Sequence, residues 1–380
     1  CIQCGTCTSG CPWNQVSSYN PRRILREISL DAGTDHSIDR AVWSCVTCNA
    51  CGIICPRGIE IIDVIKAVRM LNVSNGKIPE PFKVPLNSLQ ADGNPWNGVR
   101  DKRMEWAEDL DIPDFNAEHE YCLFTCCTTA YDPDCQKAGR ALPQLLTRAG
   151  VSFGTLGTDE NCCGDPAHKL GEGKIFSGLA KKNTELFLRS GVRKILTTSP
   201  HCLNAFRKND TELAQSVASE HYTELLDRLI AKGYLKPIGA MDRIVTFHDP
   251  CYLGRHNGIY EAPRRILQSI PGLHLVEMFN HKEESLCCGG GGGAWRNPPV
   301  EQRFGVLRIR EALGTGAEVI ATACPYCIRM LTDAVRELRV GDRIVVQDVA
   351  ELLLQSVAST GEMETVARAV LKIDQEAYHV

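Results

Sequence analysis

The chain lacks any run of about eighteen apolar residues. Even 59–68 is broken by Glu60, Asp63 and Lys66, so no transmembrane helix is predicted. No signal peptide is visible either. A basic excess is also missing: 42 Lys and Arg stand against 46 Asp and Glu, a formal charge of −4. Nothing therefore draws the protein to nucleic acid or an anionic membrane surface, and protein or small-molecule partners are favoured. There is no initial methionine, and Cys1 already stands inside a motif, so the native protein is expected to begin upstream. With 380 residues, 43% of them hydrophobic and 23% charged, the composition excludes disorder and collagen-like repeats and predicts two or three domains. Cysteine is what the chain has in excess, with 20 residues. A core of this size does not need many disulfides, which leaves metal ligation as the leading reading.

Cys1, Cys4, Cys7 and Cys11 form C-x2-C-x2-C-x3-C followed by Pro12, and Cys45, Cys48, Cys51 and Cys55 repeat it before Pro56. Three thiolates at this spacing wrap three irons of one cubane, while the fourth is carried by the turn to the other cluster. The expected sets are Cys1, Cys4, Cys7 and Cys55 for one [4Fe–4S] cluster, and Cys45, Cys48, Cys51 and Cys11 for a second. Paired C-x2-C units also bind zinc, but two complete four-cysteine runs with trailing prolines favour clusters. Between them, 21–30 reads as a helix with Pro21 at its start and Ile24, Leu25, Ile28 and Leu30 on one face. Residues 59–71 read as another, with Ile61, Ile62, Ile65 and Val68 as its stripe. From about 72 to 120 the prolines at 79, 81, 85, 95 and 113 predict a boundary and a long surface connection, anchored by Trp96 and Trp106.

The remaining cysteines repeat. Cys127, Cys162, Cys163 and Cys202 match Cys251, Cys287, Cys288 and Cys327 at offsets of 124, 125, 125 and 125. Gly191, Ile195, Thr197 and Pro200 match Gly316, Ile320, Thr322 and Pro325 at the same offset, which means two copies of one fold. In each copy apolar stretches (121–126 and 192–198; 244–247 and 318–323) lead into cysteines and helical patterns follow (202–208; 328–338). This alternation predicts a parallel α/β sheet with the cysteines at the carboxyl ends of strands. The second copy has five thiols, Cys251, Cys287, Cys288, Cys324 and Cys327. In the first, Ser199 stands where Cys324 would be, leaving Cys127, Cys162, Cys163 and Cys202, with Cys126 adjacent as a substitute. Cys122 and Cys135 fit neither pattern and read as buried or incidental thiols.

The run Gly289–Gly293 follows the paired cysteines of the second copy. It lacks a P-loop lysine and dinucleotide spacing. It is expected to let backbone approach a cluster or substrate closely, with N–H groups, those of Gly289 and Gly290 first, bonding cluster sulfurs. His248, in His248-Asp249-Pro250 before Cys251, either supplies protons to chemistry at the site or, with Asp249, only fixes the strand-end turn. His201 beside Cys202 has the same two readings. Arg255 and Arg296 either hold an anionic substrate or offset the charge of the clusters.

The paired Cys-Cys-Gly turns with a cysteine before and after them resemble the double-C-Gly cysteine-rich family found in the catalytic subunits of heterodisulfide reductase and its relatives. The front block resembles the small ferredoxin-like subunit, of the α-helical ferredoxin type, fused here as in the one-chain form. The resemblance implies an α+β multidomain chain. A ferredoxin-like domain (1–72) and a linker (73–120) precede two tandem α/β cysteine-rich domains (121–240 and 241–380). It also implies a non-cubane [4Fe–4S] cluster on the five cysteines of the second copy, which with His248 form the catalytic site for thiol–disulfide chemistry. The first copy then holds an ordinary cubane, an altered cluster or none. The chain carries no flavin or nicotinamide fingerprint, so the implied electron donor is a flavoprotein partner, either a heterodisulfide-reductase-type flavin subunit or an electron-transfer flavoprotein. Hydrogenase, formate dehydrogenase or another reductase module are further implied partners. The alternative is a pure relay to a quinone, sulfite-reductase-associated or benzoyl-CoA reductase module. The expected location is cytoplasmic, with any membrane association made through partners.

Overall fold

A computed structural model describes residues 1–16, 19–30, 41–296 and 303–357. The last stretch of the second expected domain, 358–380, lies outside them. Strands β1 (Tyr121–Phe124), β2 (Phe153–Gly154), β3 (Lys194–Thr197) and β4 (Ala218–His221) form a parallel sheet in the order β2-β1-β3-β4. Strands β5 (Arg243–Phe247), β6 (Leu273–Val276), β7 (Val319–Thr322) and β8 (Val345–Asp348) form a second in the order β6-β5-β7-β8, again all parallel. The 125-residue offset is thus a repeat of topology. Central strands β1 and β7 are buried at every residue, as parallel strands covered on both faces must be. The two sheets share one apolar core, in which Leu123, Leu142 and Leu196 meet Val245, Phe247, Val319 and Leu353.

The cysteines sit at strand ends. β1 leads into Cys126 and Cys127, β5 into His248 and Cys251, β3 into Ser199 and Cys202, and β7 into Cys324 and Cys327. The Pro200–Asn204 and Pro325–Leu338 helices begin at these ends, each with proline where no N–H partner is needed. Ser199 caps the first by accepting the His201 N–H at 3.3 Å. After Asn204 the chain widens into a π turn over Ala205–Asn209, so the helix expected over 202–208 is split.

In the front segment the Asn20 side chain accepts from Arg23 N at 3.0 Å and caps the Pro21–Ser29 helix. Ile24 and Leu25 are buried, but Ile28 and Leu30 are exposed, so only half of the expected stripe faces the core. The Ile61–Ser74 helix buries Ile61, Ile62 and Ile65 and, one turn on, the whole of Arg69.

The stretch expected to run along the surface does not. It carries the Glu80–Asp92 helix and a 3-10 stretch over Arg100–Ala107, and Phe82, Leu86, Leu89 and Trp106 are buried. Phe82 stacks on Trp43 at 5.4 Å between centroids. The spacing 82, 86, 89 is a helical stripe, and Pro81 falls in the first turn, where a missing N–H costs nothing. Trp96 does anchor, stacking on Trp295 at 4.7 Å.

The glycine run meets the front block. A Cβ on Gly291 would lie 2.2 Å from Val46 O, and one on Gly292, at φ +61°, 2.4 Å from Cys45 O. The backbone that approaches is therefore that of the second cysteine motif. Gly291→Ala should lower stability by about 1–3 kcal/mol through overpacking. The loss should be read as an earlier melting step and faster proteolysis within residues 1–74.

Candidate metal centres

Cys1, Cys4, Cys7 and Cys55 line one cavity together with Arg22, Pro56, Arg57 and Ile59. Cys1 and Cys4 are exposed and Cys55 is half-buried, so this group faces the surface. Cys11, Cys45, Cys48 and Cys51 form a second, buried group. Burial pushes the Cys51 thiol up, and Cys45, Cys48 and Cys11 add to it; burial and Cys48 do the same to Cys11. The fourth cysteine of each run is thus brought to the first three of the other.

In the second copy, contacts link Cys251, Cys287, Cys288, Cys327 and Cys324 in that order. The Cys327 and Cys288 sulfurs are 3.3 Å apart, and Gly289 N donates to Cys287 Sγ at 3.3 Å. Cys48 of the front block hydrogen-bonds Cys287, and that contact, with Arg255 nearby, brings the Cys48 thiol down to about 6. Arg255 donates to the carbonyls of Cys48 (2.7 Å), Ser285 (2.7 Å) and Glu283 (3.0 Å), and it lies beside Cys48, Cys251 and Cys287. Of its two readings the geometry favours compensation of sulfur charge. Arg296 lies over the Trp295 ring, 4.9 Å from its centroid.

His248 and Asp249 part company. Asp249 is gripped by both terminal nitrogens of Arg264 at 2.7 and 2.9 Å and accepts Lys282 N at 2.8 Å, so it fixes the turn. Arg308 Nε donates to His248 Nδ1 at 3.1 Å. The hydrogen of a neutral ring then sits on Nε2, since an arginine cannot accept. A ring nitrogen of His248 lies within 4.8 Å of the Cys288 and Cys327 sulfurs, and Nε2 is buried with no other hydrogen-bond partner among the described residues. Burial, helped by Arg308, lowers the His248 pKa and keeps the ring neutral.

The first copy also brings five thiols together. Cys162 contacts Cys127 and Cys163, and Cys202 contacts Cys163 and Cys126. The chain of contacts 127–162–163–202–126 mirrors 251–287–288–327–324, so Cys126 stands where the second copy has Cys324. Ser199 is occupied as a helix cap. Buried Arg103 donates to Cys127 Sγ (3.4 Å) and Thr125 O (2.7 Å) and pairs with buried Glu160 at 3.0 Å. The hydrogen bond to Cys162, then Arg103, brings the Cys127 thiol down to about 7 against the opposing effect of burial. Cys122 is buried inside β1, and the Cys135 thiol donates to Pro325 O at 3.2 Å.

The residues fit iron–sulfur clusters. All twenty cysteines are free thiols, and eighteen are at least partly buried. Packing four or five thiols of one group against each other, with buried arginines beside three of the groups, makes sense for thiolates sharing a cation. Three of the buried arginines (Arg69, Arg103, Arg308) were not singled out from the sequence. The signal for Arg69 was its spacing, seven residues after Ile62 on the same helical face.

Two tandem copies of one parallel α/β unit behind a double-motif iron–sulfur block define a class, and comparison with known families agrees. A cysteine-rich domain model matches 121–207 and again 245–332, and a 4Fe-4S dicluster domain model matches 1–59. The chain belongs to the family of [4Fe–4S] oxidoreductases that includes the one-chain iron–sulfur subunit of heterodisulfide reductase. It is 30% identical to that subunit of the dihydromethanophenazine:CoB–CoM heterodisulfide reductase of Methanosarcina barkeri, over 94% of this chain and 93% of that one. It is 37% identical to "Probable iron-sulfur-binding oxidoreductase FadF" of Bacillus subtilis, over 92% of this chain and 54% of that one. It is 31% identical to "EtfAB:quinone oxidoreductase" of Syntrophomonas wolfei, over 93% and 57%. The chain thus spans little more than half the length of the last two. Among the described residues no helix is long and apolar enough to cross a membrane.

Proposed function

We propose that the chain is the electron-transferring subunit of a larger oxidoreductase, taking electrons from a flavoprotein at its front block and delivering them to the second cysteine-rich copy for thiol–disulfide chemistry. The observation that carries this is the contact between Cys48 and Cys287, which joins the buried front group directly to the second copy. Bound [4Fe–4S] clusters would supply one-electron transfer. Their holders would be Cys1, Cys4, Cys7 and Cys55 at the surface, then Cys45, Cys48, Cys51 and Cys11, then Cys251, Cys287, Cys288, Cys324 and Cys327, a set of the non-cubane kind. Cys127, Cys162, Cys163, Cys202 and Cys126 would hold a fourth.

The chain's own side chains divide the work. The exposed first group is where a donor docks; Arg255 balances sulfide and thiolate charge; Gly289 N–H donates to Cys287; and Arg308 turns His248 so that Nε2–H points into the site. Reducing a disulfide to two thiols takes two electrons and two protons, and His248 is the buried imidazole placed to hand one over. The relative named EtfAB:quinone oxidoreductase supports an electron-transfer flavoprotein as donor, and hydrogenase or formate dehydrogenase modules are further donors to try.

A second reading, the pure relay, is favoured by burial: all five thiols of the second copy are 7% exposed or less. Thiol addition separates the two. With oxidised protein, a new paramagnetic signal on adding a thiol, absent in Cys324→Ala, is expected if substrate chemistry occurs there. Full reduction by a flavoprotein with no such signal assigns the relay.

A further inference from the structure

The residue before the last cysteine differs between the copies, His201 in Ser199-Pro-His-Cys202 and Tyr326 in Cys324-Pro-Tyr-Cys327. The structure shows that each reaches across into the other copy. Tyr326 lies beside Thr128, Cys126 and Cys162 of the first copy. His201, from the first copy, makes a hydrogen-bonding contact with Cys324 of the second. The two rings meet at 4.9 Å between centroids. Repeats that pack about an internal axis place equivalent residues at their junction, so the exchange is a consequence of the duplicated fold.

What distinguishes His201 is how firmly it is held. Its Nδ1 lies 3.0 Å from Asp165 Oδ2, and Asp165 Oδ1 pairs with Lys169. Lys169 Nζ sits 3.7 Å above the centre of the Tyr252 ring, and that ring stacks on His201 at 4.0 Å. Tyr252 in turn donates to Thr47 Oγ1 at 2.9 Å and stacks on His256 at 3.9 Å. His201, Asp165, Lys169 and Tyr252 are all 5% exposed or less. Burying an aspartate and a lysine costs several kcal/mol each unless they pair and are hydrogen-bonded. Fixing an imidazole on a sulfur is a use for such a pair, because the carboxylate fixes both the tautomer and the ring plane. Asp165 follows Cys162-Cys163-Gly164 directly, and the matching position in the second copy is Gly290, so only the first copy carries this support.

We propose that His201, oriented by Asp165 and Lys169, is a positioning residue for the second copy's site, where it holds the Cys324 sulfur by a hydrogen bond from the neighbouring repeat. This rests on the reading that Cys324 is a ligand. The first copy thereby tunes a site it does not contain. Hydrogen bonds to cluster-bound sulfur raise the reduction potential, so their loss lowers it.

The test uses the full chain with its iron–sulfur content rebuilt anaerobically. His201→Phe keeps a stacked ring and removes the hydrogen bond; His201→Gln keeps an amide donor. The Phe variant is expected to retain its iron, to show a lower midpoint potential and to change the paramagnetic line shape of the second-copy site. Gln should restore part of the shift. Lys169→Met should move the potential in the same direction by less, and it carries the measurement if the Phe variant loses iron. An unchanged potential and line shape in iron-replete Phe, or in iron-replete Lys169→Met where Phe loses iron, overturns the proposal. Cys324→Ala with full iron and an unaltered signal would instead sink the underlying ligand assignment.

Discussion

A Cys126→Ser chain is expected to lose about four iron atoms, all from the first copy, while the front block and the second copy keep theirs. The reasoning is geometric. Cys126 closes the sequence of contacts 127–162–163–202–126, at the place Cys324 takes in the second copy. Its main-chain N–H donates to Thr198 Oγ1 at 3.1 Å, which fixes the strand end that presents the thiol. Serine keeps the size and the backbone but supplies a far weaker ligand at neutral pH, since its hydroxyl does not ionise. The decisive companion is Ser199→Cys in the Cys126→Ser background. It puts a thiol at the ordinary position of the repeat and should bring iron back, at the cost of the Ser199 cap, about 1 kcal/mol. Iron analysis and Mössbauer spectra of the three chains read the outcome. Unchanged iron in Cys126→Ser means that the other four thiols suffice.

The largest stability loss should come from Arg69→Met, about 3–5 kcal/mol. Arg69 is fully buried and joins the three parts of the molecule. Nε and Nη2 donate to Val42 O at 3.1 and 2.7 Å, and Nη2 also reaches Cys45 O at 2.7 Å. Nη1 reaches Lys169 O of the first copy at 2.9 Å and Gly292 O of the second at 3.3 Å. Methionine fills much of the volume but leaves four carbonyls in a dry interior without a donor. Lysine restores the charge but not the planar fork, so Arg69→Lys should recover only part of the loss. Calorimetry should show an early transition of the front block, and a single unshifted transition would mean that water replaces the guanidinium.

Much of the site was legible because metal ligation constrains spacing. Two C-x2-C-x2-C-x3-C-P runs admit few geometries, and their interlocking follows from turn length alone. The duplicated fold was legible from a constant offset shared by cysteines, glycines and apolar residues. Less was legible where proline dominated. Residues 73–120 read as connection because Pro79, Pro81 and Pro85 outweighed the stripe Phe82, Leu86 and Leu89, yet two of those prolines lie at or before the first helical turn, where they do no harm. The five glycines were read for a cluster or substrate, but what they admit is the carbonyl edge of Val46 and Cys45, a partner in the front block, far ahead of either repeat.

Local spacing alone was enough to group the front cysteines, to reveal the doubling of the α/β unit and to mark the second copy as complete. Packing settled what spacing does not encode. It supplied Cys126 as the fifth thiol where Ser199 had seemed to leave the first copy one short, joined Cys48 to Cys287, and carried His201 across the junction to Cys324. These contacts bring together residues 76 to 239 positions apart in the chain. They follow from how the two sheets and the front block pack, and that packing is set by a shared core and a buried arginine.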